Sequence, residues 1–121
     1  MLKSVTDIEQ SLKLKEILGH NGYDCFYWRI NKDSDFTLEH RTTRGIDDEL
    51  FSYRAEYEIP AWTLTALFLL LPGFIFSKDG DENGQNYKYR FFTIGVWSDY
   101  FEEPIDAIID IIAKLHEQNL L

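Results

Sequence analysis

The chain has a single cysteine, Cys25, among 121 residues, so it forms no internal disulfide and offers no cysteine pair to a metal. Its three histidines, His20, His40 and His116, are scattered without an HxxxH or HExxH spacing, which gives no support to a zinc site. No GxGxxG, GxxxxGK[ST] or GxSxG motif occurs, so the usual phosphate-cradling loops and the common hydrolase elbow are missing. The longest apolar run, "LTALFLLLPGFIF", is interrupted by Pro72 and Gly73 and falls short of the ~20 residues of a membrane helix. The opening "MLKSVTDIEQ" has no basic stretch followed by an apolar one, so no signal peptide is expected and the cytoplasm is the expected compartment. Positive charge is scarce too. Twelve Lys and Arg stand against 21 Asp and Glu, a net charge of −9. That balance disfavours direct contact with nucleic-acid phosphates or an anionic membrane, and suits a basic partner.

What is present is core material. Hydrophobic residues make up 45% of the chain and aromatics 16%, enough for one domain over 1–121 without a metal or disulfide staple. No repeat, low-complexity segment or linker divides it. "VTDIEQSLKLKEILGHNG" reads as a helix, with Thr6 and Glu9 as its capping box and Gly19 or Gly22 as its stop. "YDCFYWRI" (23–30) and "FTLEHR" (36–41) alternate as strands and suggest a hairpin. In "LFSYRAEYEI" (50–59), Phe51, Tyr53, Ala55, Tyr57 and Ile59 are expected to face the core and Glu58 to face water. Thr63 to Leu71 carries no charge and reads as a short helix stopped by Pro72, buried on most sides. "GFIFSK" (73–78) and "YKYRFFTIGVWSDY" (87–100) read as strands, with Gly95 marking a bulge in the second. A closing helix starts at Pro104, with Ile105, Ile108, Ile109, Ile112 and Leu115 on one stripe. The order α-β-β-β-α-β-β-α predicts an α+β fold: an antiparallel sheet of about five strands, with helices mainly on one face.

The nearest approach to a chemical motif is "SKDGDENGQNY" (77–87). Asp79, Asp81, Asn83 and Gly84 match positions 1, 3, 5 and 6 of a calcium-binding EF-hand loop. The match then fails, because Arg90 stands where the bidentate Glu belongs and the flanks read as strands. Asp-Gly and Asn-Gly are turn dipeptides, so a hairpin tip accounts for every residue. A looser calcium site on Asp79, Asp81 and Asn83 stays as the alternative. Cys25 and His40 could meet across the first hairpin as a nucleophile pair, though a buried small hydrophobe is the simpler reading of Cys25. Tyr23, Tyr27 and Trp97 are the candidate aromatics for an interaction surface or small pocket. No catalytic residue and no cofactor is assigned.

Three stretches carry a resemblance. "IEQSLKLKEILG" resembles an "EQ-x-x-x-LKELG" opening, "EIPAWTLTALFLLLP" an "IPA-x-TL-x-x-L-x-x-LLP" middle, and "FEEPIDAIIDIIAKLHEQNLL" a "D-A-x-x-x-x-x-x-WL" closing helix, with Lys114–Leu115 in place of Trp-Leu. Together they are similar to uncharacterised small proteins encoded by prophages and mobile elements of gut bacteria. The resemblance implies a genomic setting and carries over no site residue. The resulting expectation is a non-enzymatic accessory module that binds an unknown protein partner, with a homodimer compatible. The alternatives are an acidic DNA mimic that blocks a nucleic-acid-binding protein, and a small-ligand or calcium binder.

Overall fold

The computed structural model describes residues 3–19, 26–30, 35–40 and 58–121. The expectations placed on His20, Tyr23, Cys25, the 31–34 turn and residues 41–57 lie outside the described residues. The described residues are α+β, with helices α1 (Ile8–Leu18), α2 (Leu64–Leu70) and α3 (Pro104–Glu117). The strands are β1 (Phe26–Ile30), β2 (Phe36–His40), β3 (Glu58–Ala61), β4 (Phe74–Asp79), β5 (Lys88–Thr93) and β6 (Val96–Trp97). The element order follows the sequence pattern, but the single sheet of about five strands does not. There are two antiparallel three-stranded sheets, β2-β1-β3 and β4-β5-β6, each within its own compact unit. One unit spans Thr6–Thr63 and the other combines Met1–Val5 with Leu64–Leu121.

In the Thr6–Thr63 unit, β1 pairs with β2 from Phe26↔His40 to Ile30↔Phe36 and with β3 from Phe26↔Ala61 to Arg29↔Glu58. The capping box of α1 lies one residue later than expected. Asp7 Oδ1 accepts from the Gln10 amide at 2.8 Å, and the Gln10 side chain accepts from the Asp7 amide. Thr6 is unavailable as the cap because it is buried elsewhere. Its hydroxyl accepts the Trp62 amide at 3.1 Å and shares a 2.7 Å hydrogen bond with the Ser11 hydroxyl. Its amide donates to the Trp62 carbonyl, and its carbonyl accepts the Trp28 indole N–H at 2.9 Å. The expected parity of β3 is reversed. Glu58 is buried and Ile59 half-buried, because α1 packs on β3 and the strand runs into the fully buried Ala61 and Trp62.

In the other unit, β4 and β5 pair from Phe74↔Thr93 to Asp79↔Lys88. Side chains alternate across a strand, so Phe74, Phe76, Tyr89, Phe91 and Thr93 share one face. That inner face meets α3, whose Ile105, Ile108, Ile109, Ile112 and Leu115 are all buried, as their spacing requires. Phe68 of α2 completes an aromatic cluster, with ring centroids 5.4 Å from Phe74 and 5.7 Å from Phe91. α2 is not buried on most sides. Ala66 and Leu67 face the core, but Leu69 is 82% exposed, since two turns of helix pack one side only.

The stretch 87–100 is not one strand with a bulge at Gly95. It is a hairpin that turns at Ile94 (φ 51°) and Gly95 (φ 76°) between the paired Thr93 and Val96. Positive φ at both central residues is the turn that follows the right-handed strand twist, and Asn-Gly is its preferred pair. A β-branched residue in this region is strained by roughly 1–2 kcal/mol. The half-exposed Ile94 side chain returns only about 1 kcal/mol by partial burial. Ile94→Asn is therefore expected to raise stability by about 0.5–1 kcal/mol in urea unfolding. Unchanged or lower stability would mean that Ile94 packing outweighs the backbone strain.

Candidate functional site

The outward face of the β4-β5-β6 sheet carries Ile75, Ser77 and Asp79 from β4, Lys88, Arg90 and Phe92 from β5, and Trp97 from β6. It forms a graded strip. At the turn end Ile75 is 56% exposed, Trp97 is 42% exposed, and the Phe92 and Trp97 rings lie 4.5 Å apart. Arg90 occupies the middle, and Asp79 and Lys88 stand beside the 80–87 tip.

A bulge builds the middle of this strip. Tyr89 pairs with Phe101 and Phe92 with Trp97, so three steps along β5 correspond to four along the returning segment. The extra residue lets Trp97 and Tyr100 reach the same side. The Arg90 guanidinium carbon lies 3.9 Å from the Trp97 ring centre and 4.6 Å from that of Tyr100. Bulges leave backbone groups without ladder partners, and here side chains take them up. The buried Ser98 hydroxyl accepts the Phe91 amide at 2.8 Å. Asp110 Oδ2 on α3 accepts the Asp99 amide at 2.8 Å, and Lys114 Nζ, one helical turn on, donates to the Trp97 carbonyl at 3.3 Å. Lys114 also pairs with Asp110 at 3.0 Å and with Asp99 at 3.2 Å. Burial pulls the Lys114 ammonium down, but these carboxylate hydrogen bonds outweigh it and leave the pKa raised.

The tip between β4 and β5 is held by its own residues. Asp81 Oδ1 accepts the Asn83 and Gln85 amides at 2.9 and 2.8 Å, and Oδ2 accepts the Asn86 side-chain amide at 2.8 Å. The Gln85 amide first, then Asn86, holds the Asp81 carboxyl below its usual value. Asp79 Oδ2 accepts the Tyr100 hydroxyl at 2.6 Å. The two carboxylates proposed for calcium are thus engaged by different donors, and Asn83 contributes its backbone amide to Asp81. Among the described residues, no three His, Cys, Asp or Glu side chains are grouped to hold a metal. A cleft of about 330 Å³ lies beside the tip, lined by Asp79, Gly80, Asp81, Asn86, Lys88 and Tyr100.

Of the three candidate aromatics, Trp97 stands on the open strip. Tyr27 is 8% exposed and belongs to the core of the Thr6–Thr63 unit, and Tyr23 lies outside the described residues. Arg90, Tyr100 and Asp79 join Trp97 in the site, with Arg90 in its middle. The alternation of Lys88, Arg90 and Phe92 puts them on one face in sequence, but the bulge that adds Tyr100 leaves no local signal.

The Tyr100 pKa is raised, chiefly because its hydroxyl donates to Asp79 and a phenolate there would face a carboxylate. The folded value lies above the unfolded one, so the stabilising effect is complete below the ordinary tyrosine pKa and fades as pH rises through the folded value. In a 295 nm titration, the phenolate that Tyr100→Phe removes is expected to appear later than an ordinary tyrosine, and Asp79→Ala to bring it back. Equal midpoints with and without Asp79 would contradict the hydrogen bond.

No family model, no curated protein and no solved structure matches this chain. Among the described residues, no helix is long and apolar enough to cross a membrane.

Proposed function

We propose that this chain is a non-enzymatic protein-interaction module whose docking surface is the outward face of the β4-β5-β6 sheet. The observation that carries the reading is the strip itself. Ile75 and Trp97 stay exposed on a sheet face whose neighbouring rings are held in place by a bulge anchored to α3. Open sheet faces that combine an aromatic, an arginine and an apolar row have the composition of an interface core. An accessory role in a prophage or mobile element, suggested by the three sequence stretches, is part of this proposal, as is a cytoplasmic setting.

The DNA-mimic reading rests on the net charge alone. Lys3 pairs with Asp106 at 2.8 Å, and Lys114 sits between Asp99 and Asp110, so these carboxylates do not form an uninterrupted acidic row.

The test is site-specific photocrosslinking of the full chain in cells, from position 75 or 97 and, as a control, from the exposed Glu117 at the end of α3. A discrete product from 75 and 97 alone is expected, lost in Ile75→Asp. A product at twice the chain mass would identify the partner as a second copy. Equal yield from 117, or no product from the strip, would overturn the reading.

A further inference from the structure

In a chain with 21 carboxylates against 12 Lys and Arg, cations should find partners easily. Lys3 and Lys114 do so within this unit. On the outward face two neighbouring cations do not. Among the described residues, Lys88 forms no ion pair, and the Arg90 guanidinium makes neither a hydrogen bond nor an ion pair, its contacts being the two rings. Its Nε is buried without an acceptor, and the residue as a whole is half-buried.

A guanidinium fixed by rings has lost its side-chain freedom before any ligand arrives, which lowers the entropy cost of binding. Its planar pair of N–H groups matches a carboxylate. A dianionic phosphate is less suited, because Asp79 and Asp81 lie beside Lys88 in the adjoining cleft. On the other side of Arg90 lies the row of Ile75, Phe92 and Trp97, which calls for apolar side chains next to the carboxylate.

We propose that Arg90 is the anchor for a Glu or Asp side chain in an extended segment of the partner protein. The carboxylate lies across the two terminal guanidinium nitrogens with Lys88 as a second cation, and a neighbouring apolar side chain covers Ile75, Phe92 and Trp97. Charge complementarity argues for this occupant. The strip holds two cations without ion pairs, and its one carboxylate, Asp79 opposite Lys88, accepts the Tyr100 hydroxyl. The inference rests on the docking reading above and adds the chemistry of the partner.

The experiment titrates the isotope-labelled full chain with three probes: the peptide Ac-Ser-Leu-Glu-Leu-Ser-NH2, its Gln counterpart, and acetate. The readouts are the Arg90 Nε–H and Trp97 indole N–H resonances. The Glu peptide should shift both and saturate, while the Gln peptide binds about tenfold more weakly or worse. Arg90→Lys keeps the charge but loses the planar fork, so it should weaken the Glu peptide by a similar factor, about tenfold, and leave the Gln peptide unchanged. The Glu-against-Gln comparison uses the unaltered chain, so it stands even where the variant folds poorly. Equal affinity for the two peptides overturns the carboxylate anchor and leaves the docking face standing. Acetate binding as tightly as the Glu peptide also overturns it, in favour of a site for free small carboxylates. The absence of any shift from the Glu peptide overturns it as well, and the crosslinking result then judges the docking face on its own.

Discussion

Phe91→Ala is expected to destabilise the unit containing Leu64–Leu121 by about 3–5 kcal/mol, enough to leave it largely unfolded at moderate temperature. Phe91 is fully buried at the centre of the inner face of the sheet. Its ring centroid lies 4.8 Å from Phe76 and 5.7 Å from both Phe68 and Phe74, so truncation opens a cavity and removes three aromatic contacts together. Its amide is also the group that Ser98 satisfies in the bulge, so a loosened Phe91 should disturb the Arg90 site on the other face. Phe92→Ala is the matched comparison. Phe92 is half-buried on the outward face against Trp97, and its loss should cost well under half as much. Urea unfolding, followed residue by residue through amide hydrogen exchange, checks both. Similar losses from the two variants would show that the inner cluster is not the core of this unit.

Thr6→Val carries the second large effect, expected at about 2–4 kcal/mol on the Thr6–Thr63 unit. Valine preserves the shape and removes one oxygen. That oxygen serves two buried partners, the Trp62 amide at 3.1 Å and the Ser11 hydroxyl at 2.7 Å, and both would be left without it. Leaving a buried donor unsatisfied costs its full desolvation, which exceeds the modest net gain of making the bond. Thr6→Ser is the control, since it keeps the hydroxyl and drops only a methyl group, at roughly 1 kcal/mol. If valine is tolerated as well as serine, the hydroxyl network contributes little and backbone pairing between Thr6 and Trp62 holds the segment. The Trp28 indole, bound to the Thr6 carbonyl, gives a local fluorescence readout of the same region.

The contrast between what was legible in the sequence and what was not follows one physical line. Local periodicity and turn chemistry fixed the closing helix, with Pro104 at its start and its isoleucine stripe buried, and the hairpin character of 77–87. The sequence order of helices and strands also follows from patterns read over a few residues. Features that depend on what a residue meets far along the chain did not follow. Thr6 is a good helix cap by type, yet a tertiary partner at Trp62 claims its hydroxyl and the cap moves to Asp7. Glu58 alternates as an outward residue, yet β3 is covered by α1 and the glutamate is buried. The charge-free helix α2 looks like interior, yet seven residues offer one packing side and Leu69 is left in solvent.

The candidate site shows the same division. Lys88, Arg90 and Phe92 share a face because strands alternate, and Trp97 joins them through the tight turn at Ile94–Gly95. The bulge that brings Tyr100 to Arg90 exists because Ser98, Asp110 and Lys114 accept or supply the backbone bonds it displaces, and two of those three lie on a helix, 11 and 17 residues from the groups they bind. Sequence by itself determined the order of helices and strands, though not the division of 87–100 into β5 and β6, because short-range periodicity and turn preference are properties of neighbouring residues. Only the tertiary structure decided that the strands divide into two sheets, and that one outward face presents an arginine held against two rings, because those outcomes depend on which distant groups satisfy each buried donor and acceptor.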